Sequence, residues 1–225
     1  MHIEAGVVNA AKMVLSYGTA AVALGYMAKE TRGYLKEYNP LSLVIKSIIT
    51  TLLVFSFFEI FPHFPIGVSE VHLILGTTLF LVFGVVPAAI GLTLGLLVQG
   101  VFFAQFDLPQ YGMNITTLLV PLFAMSYVAG KIIPKDTPYK DLGYKEVLQL
   151  SAFYQGGIVL WVAFWALYGQ GFGAENLANI ASFGGSYLTV ILVEPLIDLG
   201  VLALAKNFDN ITNLFVEKRL YQSAV

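Results

Sequence analysis

The sequence predicts an all-α integral membrane protein of about seven transmembrane helices, with the N-terminus outside and the C-terminus in the cytoplasm. Composition, the run of apolar stretches and the placement of basic residues carry that expectation. Of 225 residues, 57% are hydrophobic and 12% charged, and the mean hydropathy is +0.77. A soluble domain carries roughly 25% charged residues. A chain this poor in charge cannot cover a water-facing surface, but it can cover a lipid-facing one.

A spanning helix needs roughly 20 mostly apolar residues. Stretches that meet or approach this fall near 8–28, 41–61, 70–84, 86–104, 115–133, 147–169 and 180–205. The first carries a face of small residues, Gly18, Ala21 and Gly25. The third is short, and Gly84, Val86 and Pro87 predict a tight turn into the fourth. The fourth holds Gly91 and Gly95, a small-xxx-small pair that lets helix backbones approach closely. The seventh contains Glu194-Pro195, where proline frees a backbone carbonyl and kinks the helix. The longest loop, 131–146, is too short to fold alone. The whole chain, 1–225, therefore reads as one transmembrane domain, with residues 1–7 as a separate N-terminal segment.

Basic residues set the orientation. Lys29, Arg32, Lys36 and Lys46 follow span one; Lys131, Lys135, Lys140 and Lys145 follow span five; Lys206, Lys218 and Arg219 follow span seven. The loops 60–69, 105–114 and 170–179 have no Lys or Arg, and Lys12 alone breaks the pattern. This alternation fits an odd number of spans with the N-terminus outside, in a multi-pass protein of a prokaryotic plasma (inner) membrane.

Several chemistries are excluded. A net charge of −2 lacks the basic stripe that nucleic acid requires. The absence of cysteine removes disulfides, thiolate metal sites and cysteine catalysis. No Walker lysine loop or hydrolase signature is present, so energy for any active transport must come from elsewhere. Met1-His2-Ile3-Glu4 lacks the basic start of a signal peptide, so Met1 is expected to begin the working protein.

That beginning is the most informative feature. A free amine, the residue-2 amide nitrogen and the residue-2 imidazole can bind one metal in a plane, closing a five-membered and a six-membered ring. The amide proton must leave, which Ni(II) and Cu(II) promote well and Co(II) less readily; planar nitrogen ligands point the same way. A fourth corner needs another neutral donor. The chain has three histidines: His2, His63 in Phe61-Pro62-His63-Phe64-Pro65, and His72 in Gly67-Val68-Ser69-Glu70-Val71-His72-Leu73. All are expected on the outer side.

The Met1-His2-Ile3 start, the 67–73 stretch, Tyr111-Gly112-Met113-Asn114 and the seven-span layout together resemble the CbiM/NikM family. These are the cobalt/nickel substrate-capture (S) components of energy-coupling factor ABC transporters. The resemblance covers most of the chain. It implies a subunit, not an enzyme, that captures Ni2+ or Co2+ as transported ligand, with no organic cofactor. It implies that the N-terminus folds back into the bundle and that Met1, His2 and His72 bind the metal. Asn114 would steady the N-terminal segment or cap span five, with Glu70, His63 and Glu4 as further candidates near the site. Implied partners are membrane lipid, a transmembrane coupling (T) subunit meeting the small face of span one, cytoplasmic ATPases, and room for a small membrane accessory subunit. The chain departs from the common Met-His-Ile-Met-Glu-Gly start by placing Glu4 directly after Ile3. Its histidine motif also carries Glu70-Val71.

Ionisable groups within spans are functional candidates by default. Glu59, Glu194 and Asp198 qualify, and Gln99 and Gln155 could line a path or join helices. An alternative function follows from them: a membrane-embedded enzyme or redox subunit using intramembrane carboxylates. A third is an assembly subunit without a ligand. The loops 105–111 and 168–173 are placed to cover an outer site, or to act as static turns.

Overall fold

The computed structural model describes residues 3, 6–9, 11–208 and 211–223. Among these, seven α-helices and one two-stranded hairpin are present: α1 (Met13–Glu37), α2 (Pro40–Glu59), β1 (Phe64–Ile66), β2 (Ser69–Val71), α3 (Gly76–Phe83), α4 (Val85–Phe102), α5 (Tyr111–Ile132), α6 (Tyr144–Gln170) and α7 (Ala174–Lys206). Five helical stretches are long and apolar enough to cross a bilayer: 40–59, 85–102, 105–132, 144–170 and 174–206. Helix α1 is also long, but it is the least apolar of the long helices. Leu188, Leu192 and Leu196 on α7 point outward at 61–62% exposure, a leucine stripe suited to lipid.

Local chemistry sets the helix ends. Asn39 caps α2, its side chain accepting from the Leu41 N–H at 2.8 Å, and Pro40 occupies the first helical position, where a missing N–H costs nothing. At α6, Glu146 reaches back to the Gly143 N–H at 3.1 Å. Asn176 closes the α6–α7 turn on the carbonyls of Gly171 at 2.7 Å and Ala166 at 3.1 Å.

The expected third span, 70–84, differs. Residues 69–71 form a strand and only 76–83 are helical. Eight residues of helix rise about 12 Å, far short of a hydrocarbon layer of about 30 Å. The segment nevertheless runs from the hairpin to the opposite end of the bundle, half extended and half helical. Such backbone is tolerated at membrane depth only where protein surrounds it. His72, Ile74, Leu75, Leu79, Phe80 and Leu81 are all buried. Helix α1 starts at Met13 rather than residue 8, and Val7 and Val8 are buried ahead of it. The turn expected at 84–87 is made by Gly84 alone, whose φ of 89° favours glycine.

The junction of α1 and α2, the 131–142 loop and the C-terminal segment gather at one end. There the Glu217 N–H donates to the Val82 carbonyl at 2.7 Å, Ser42 to the Asn213 carbonyl at 2.8 Å and Arg219 to the Pro134 carbonyl at 3.0 Å. Lys46 is fully buried, donates to the Tyr34 hydroxyl at 3.1 Å and sits over the Tyr38 ring. The Tyr38 hydroxyl donates to Glu217. Burial, reinforced by the Glu217 carboxylate, holds the Tyr38 phenol above its ordinary pKa. The basic loops thus share one end, and His63 and His72 lie at the other. Lys12, the exception, donates to the carbonyls of Tyr168 at 2.7 Å and Gly169 at 3.1 Å. A cation there meets the negative end of the α6 dipole.

Helix α4 packs on α2 through its glycines. A Cβ at Gly91 would lie 2.5 Å from Thr50 Cβ and 2.8 Å from its carbonyl carbon, and one at Gly95 2.8 Å from Val54 Cβ. Thr50 also donates to the Pro87 carbonyl at 2.7 Å. Gly91→Leu should therefore destabilise the detergent-solubilised protein by about 1–3 kcal/mol, the usual scale of overpacking, read as a lower thermal midpoint. Gly18→Leu, whose Cβ meets nothing within 4 Å, should leave that midpoint in place.

Candidate metal-capture site

Three separate segments build the histidine end. The first is the β1–β2 hairpin, paired antiparallel as Phe64 with Val71, Pro65 with Glu70 and Ile66 with Ser69. Its turn begins at Gly67, with φ 66°. Positive φ at the first turn position suits a two-residue hairpin. A side chain there would strike the Asn179 backbone of α7, with its Cβ 2.9 Å from the Asn179 carbonyl carbon. The turn is thereby seated on α7.

His72 follows β2 directly and is 1% exposed. Its ring lies 4.7 Å from the Phe58 ring and stacks on His63 at 4.9 Å between centroids. Its Nε2 is 2.9 Å from Glu70 Oε2. A neutral imidazole there donates its Nε2–H to the carboxylate, which leaves Nδ1 as the ring's lone-pair nitrogen; this tautomer is assigned from the hydrogen bond. A carboxylate on one ring nitrogen commonly orients a metal-binding histidine and raises its basicity.

The second segment is the N-terminal stretch. Ile3 is fully buried and forms an antiparallel bridge with Ser69. Its N–H donates to Asn114 Oδ1 at 3.0 Å. Val7 and Val8 are buried as well. The Val7 carbonyl packs so closely on Gly169 that a Cβ there would lie 2.8 Å from the Val7 carbonyl carbon. Gly169, one of three glycines in the 168–173 stretch, therefore makes room for Val7. Among the expected site residues, Met1, His2 and Glu4 lie outside the described residues.

The third segment is the start of α5. Helix α5 begins at Tyr111, so Asn114 sits inside the first turn rather than at the cap, and its side chain is free to hold Ile3. The preceding residues, Gln105–Gln110, form a 3-10 turn.

The membrane acids join elements of the bundle. Glu59 accepts from Gln99 Nε2 at 3.2 Å, joining α2 to α4. Glu194 accepts from the Leu75 N–H at 2.8 Å and from Gln155 Nε2 at 2.6 Å. Thr78 donates to Asp198. Among the described residues, no group of three or more His, Cys, Asp or Glu side chains is arranged to hold a metal.

A family model for the "cobalt uptake substrate-specific transmembrane region", CbiM, matches residues 2–210. The chain belongs to the CbiM family. It is thus a multi-pass membrane transport protein and not an enzyme, the substrate-specific subunit of transition-metal uptake, and its family is consistent with a prokaryotic plasma membrane. Two solved structures share the fold. A crystal structure of a transition metal transporter has a TM-score of 0.69 at 20% identity, covering 92% of this chain and 93% of that one. A crystal structure of a truncated transition metal transporter has a TM-score of 0.67 at 20% identity, covering 93% and 100%. Comparison with curated protein sequences gives no significant match.

The side chain that sequence reasoning left undecided, Asn114, is the anchor of the N-terminal segment in this CbiM-family chain. Asn114→Leu should leave the buried Ile3 N–H without its acceptor, at a cost of about 1–3 kcal/mol. Hydrogen exchange should report the loss as faster exchange at the Ile3 amide, with the amides of α5 unaffected.

Proposed function

We propose that this subunit captures one Ni2+ or Co2+ ion through the Met1 amine, the His2 amide nitrogen, the His2 imidazole and His72. The observation that carries this reading is the anchoring of Ile3, bridged to Ser69 and held by Asn114. The bridge holds Ile3 beside the strand that leads into His72. Two residues of extended chain reach about 7 Å, a length that permits the amine and imidazole of the proposed chelate to meet His72. Two fused chelate rings and a neutral imidazole then supply four nitrogens in a plane, a donor set suited to Ni2+ and, less readily, Co2+.

Glu70 orients the His72 ring in this arrangement, and His63 covers it from the loop side. Glu4, one residue beyond the anchor, is a candidate for steadying the chelate. The histidine end faces outside, because the basic loops collect at the other end. Release inward is driven by a transmembrane coupling subunit and a pair of cytoplasmic ATPases, since the chain carries no phosphate-binding loop of its own. The coupling subunit meets the small-residue face of α1, and a small membrane accessory subunit remains compatible with the surface.

His2→Ala and His72→Ala should each abolish stoichiometric Ni2+ or Co2+ binding, measured calorimetrically on protein with a native start and a C-terminal tag. An N-terminal extension should do the same, because it converts the amine to an amide. Full binding by the extended protein would sink the chelate. Glu70→Gln should weaken binding by about tenfold or more, the lower end of the usual range for carboxylates behind a metal-bound histidine.

A further inference from the structure

Residues 72–75 are not helical, yet they lie inside the bundle at membrane depth. A segment without regular structure there cannot satisfy its own N–H groups, so they must be met from outside the segment. Helix α7 meets the backbone at His72, Ile74 and Leu75. The Tyr187 hydroxyl hydrogen-bonds the backbone of His72. Glu194 accepts from the Leu75 N–H at 2.8 Å and faces the Ile74 backbone. Thr78, in the first turn of α3, bonds Asp198.

These three α7 residues stand seven and then four positions apart, two turns and one turn, so they share one helix face. All are buried, at 0%, 0% and 1% exposure. Leu75 has φ 54°, a left-handed conformation uncommon for leucine. It starts α3 with no cap of its own, and the Glu194 carboxylate sits where helix N-terminal N–H groups point. Gln155, fully buried on α6, donates to the second Glu194 oxygen at 2.6 Å and fixes its rotamer.

From this ladder we infer that Glu194 and Tyr187 are positioning residues for metal capture: they set the backbone of residues 72–75, and with it the place of the His72 ring. The inference rests on the proposed role of His72 as a metal ligand. Neither side chain touches the ion; each acts through the segment that carries the ligand.

The test is Ni2+ affinity per folded protein, with the visible absorption band of bound Ni2+ as a second readout, in Glu194→Leu, Glu194→Gln, Tyr187→Phe and His72→Ala. Glu194→Leu should weaken binding by about 10–100-fold, the range for groups behind a metal ligand, and shift the band. Glu194→Gln keeps an acceptor for the Leu75 N–H, and the Gln155 amide can turn to accept from it. It should recover most of that loss. Tyr187→Phe, which deletes only a hydroxyl, should weaken binding several-fold. If Glu194→Leu does not fold, Tyr187→Phe decides. Native affinity and an unshifted band in Tyr187→Phe, or in folded Glu194→Leu, would overturn the positioning role. Native affinity in His72→Ala would instead overturn the ligand assignment on which it rests.

Discussion

The fold depends on how one non-helical stretch of backbone is kept satisfied inside a membrane. Helices α1, α2, α4, α5, α6 and α7 bond their own peptide groups, and lipid asks nothing more of them. Residues 72–75 do not. Their polar groups must be met by protein, because an unmet one in hydrocarbon costs several kcal/mol. Tyr187 and Glu194 stand on the inward face of α7 for that reason, with Leu188, Leu192 and Leu196 on its outward face. A helix with leucine toward lipid and carboxylates toward a broken segment is amphipathic in the inverted sense that membranes require.

The break has a consequence for the site. An unbroken helix over 70–84 would spend every peptide group on itself. It could not pair Ser69 with Ile3, nor hold Pro65, Glu70 and Val71 in a hairpin. Extended backbone at the mouth of the bundle offers an edge on which the N-terminal segment can register. Asn114 from α5 then fixes that segment in depth, and Gly169 from α6 lets Val7 lie flat against the bundle. Segments far apart in the chain converge within a few residues of His72.

Charge is sorted along the same axis. The basic residues and the C-terminal segment close one end, where Glu217 ties Val82, at the end of α3, to Tyr38. The histidine end holds Lys12, but its ammonium is occupied by the two carbonyls that end α6. The carboxylates Glu59, Glu194 and Asp198, which by composition could have served proton chemistry, each hold two elements together. Membership in the CbiM family accords with that structural use.

The sequence by itself determined the class. Low charge, apolar stretches and sorted Lys and Arg are additive properties that need no knowledge of contacts, so membrane class and helix number were legible. His2 could be proposed as a ligand because chelate-ring sizes follow from covalent geometry, and His72 because the 67–73 stretch resembles the family's motif. The partition of 70–84 into strand, extended segment and short helix was not. Hydropathy is blind to backbone conformation, and a buried apolar strand reads like a buried apolar helix. Nor could the sequence say that Asn114 holds Ile3, that Lys12 caps α6, or that Glu194 serves Leu75. Those partners stand 111, 156 and 119 positions apart, and a hydrogen bond depends on a few ångströms of distance and a direction. Only packing of the helices sets those, which is why candidate site residues could be named from the chain while the contacts around them were decided by the tertiary structure.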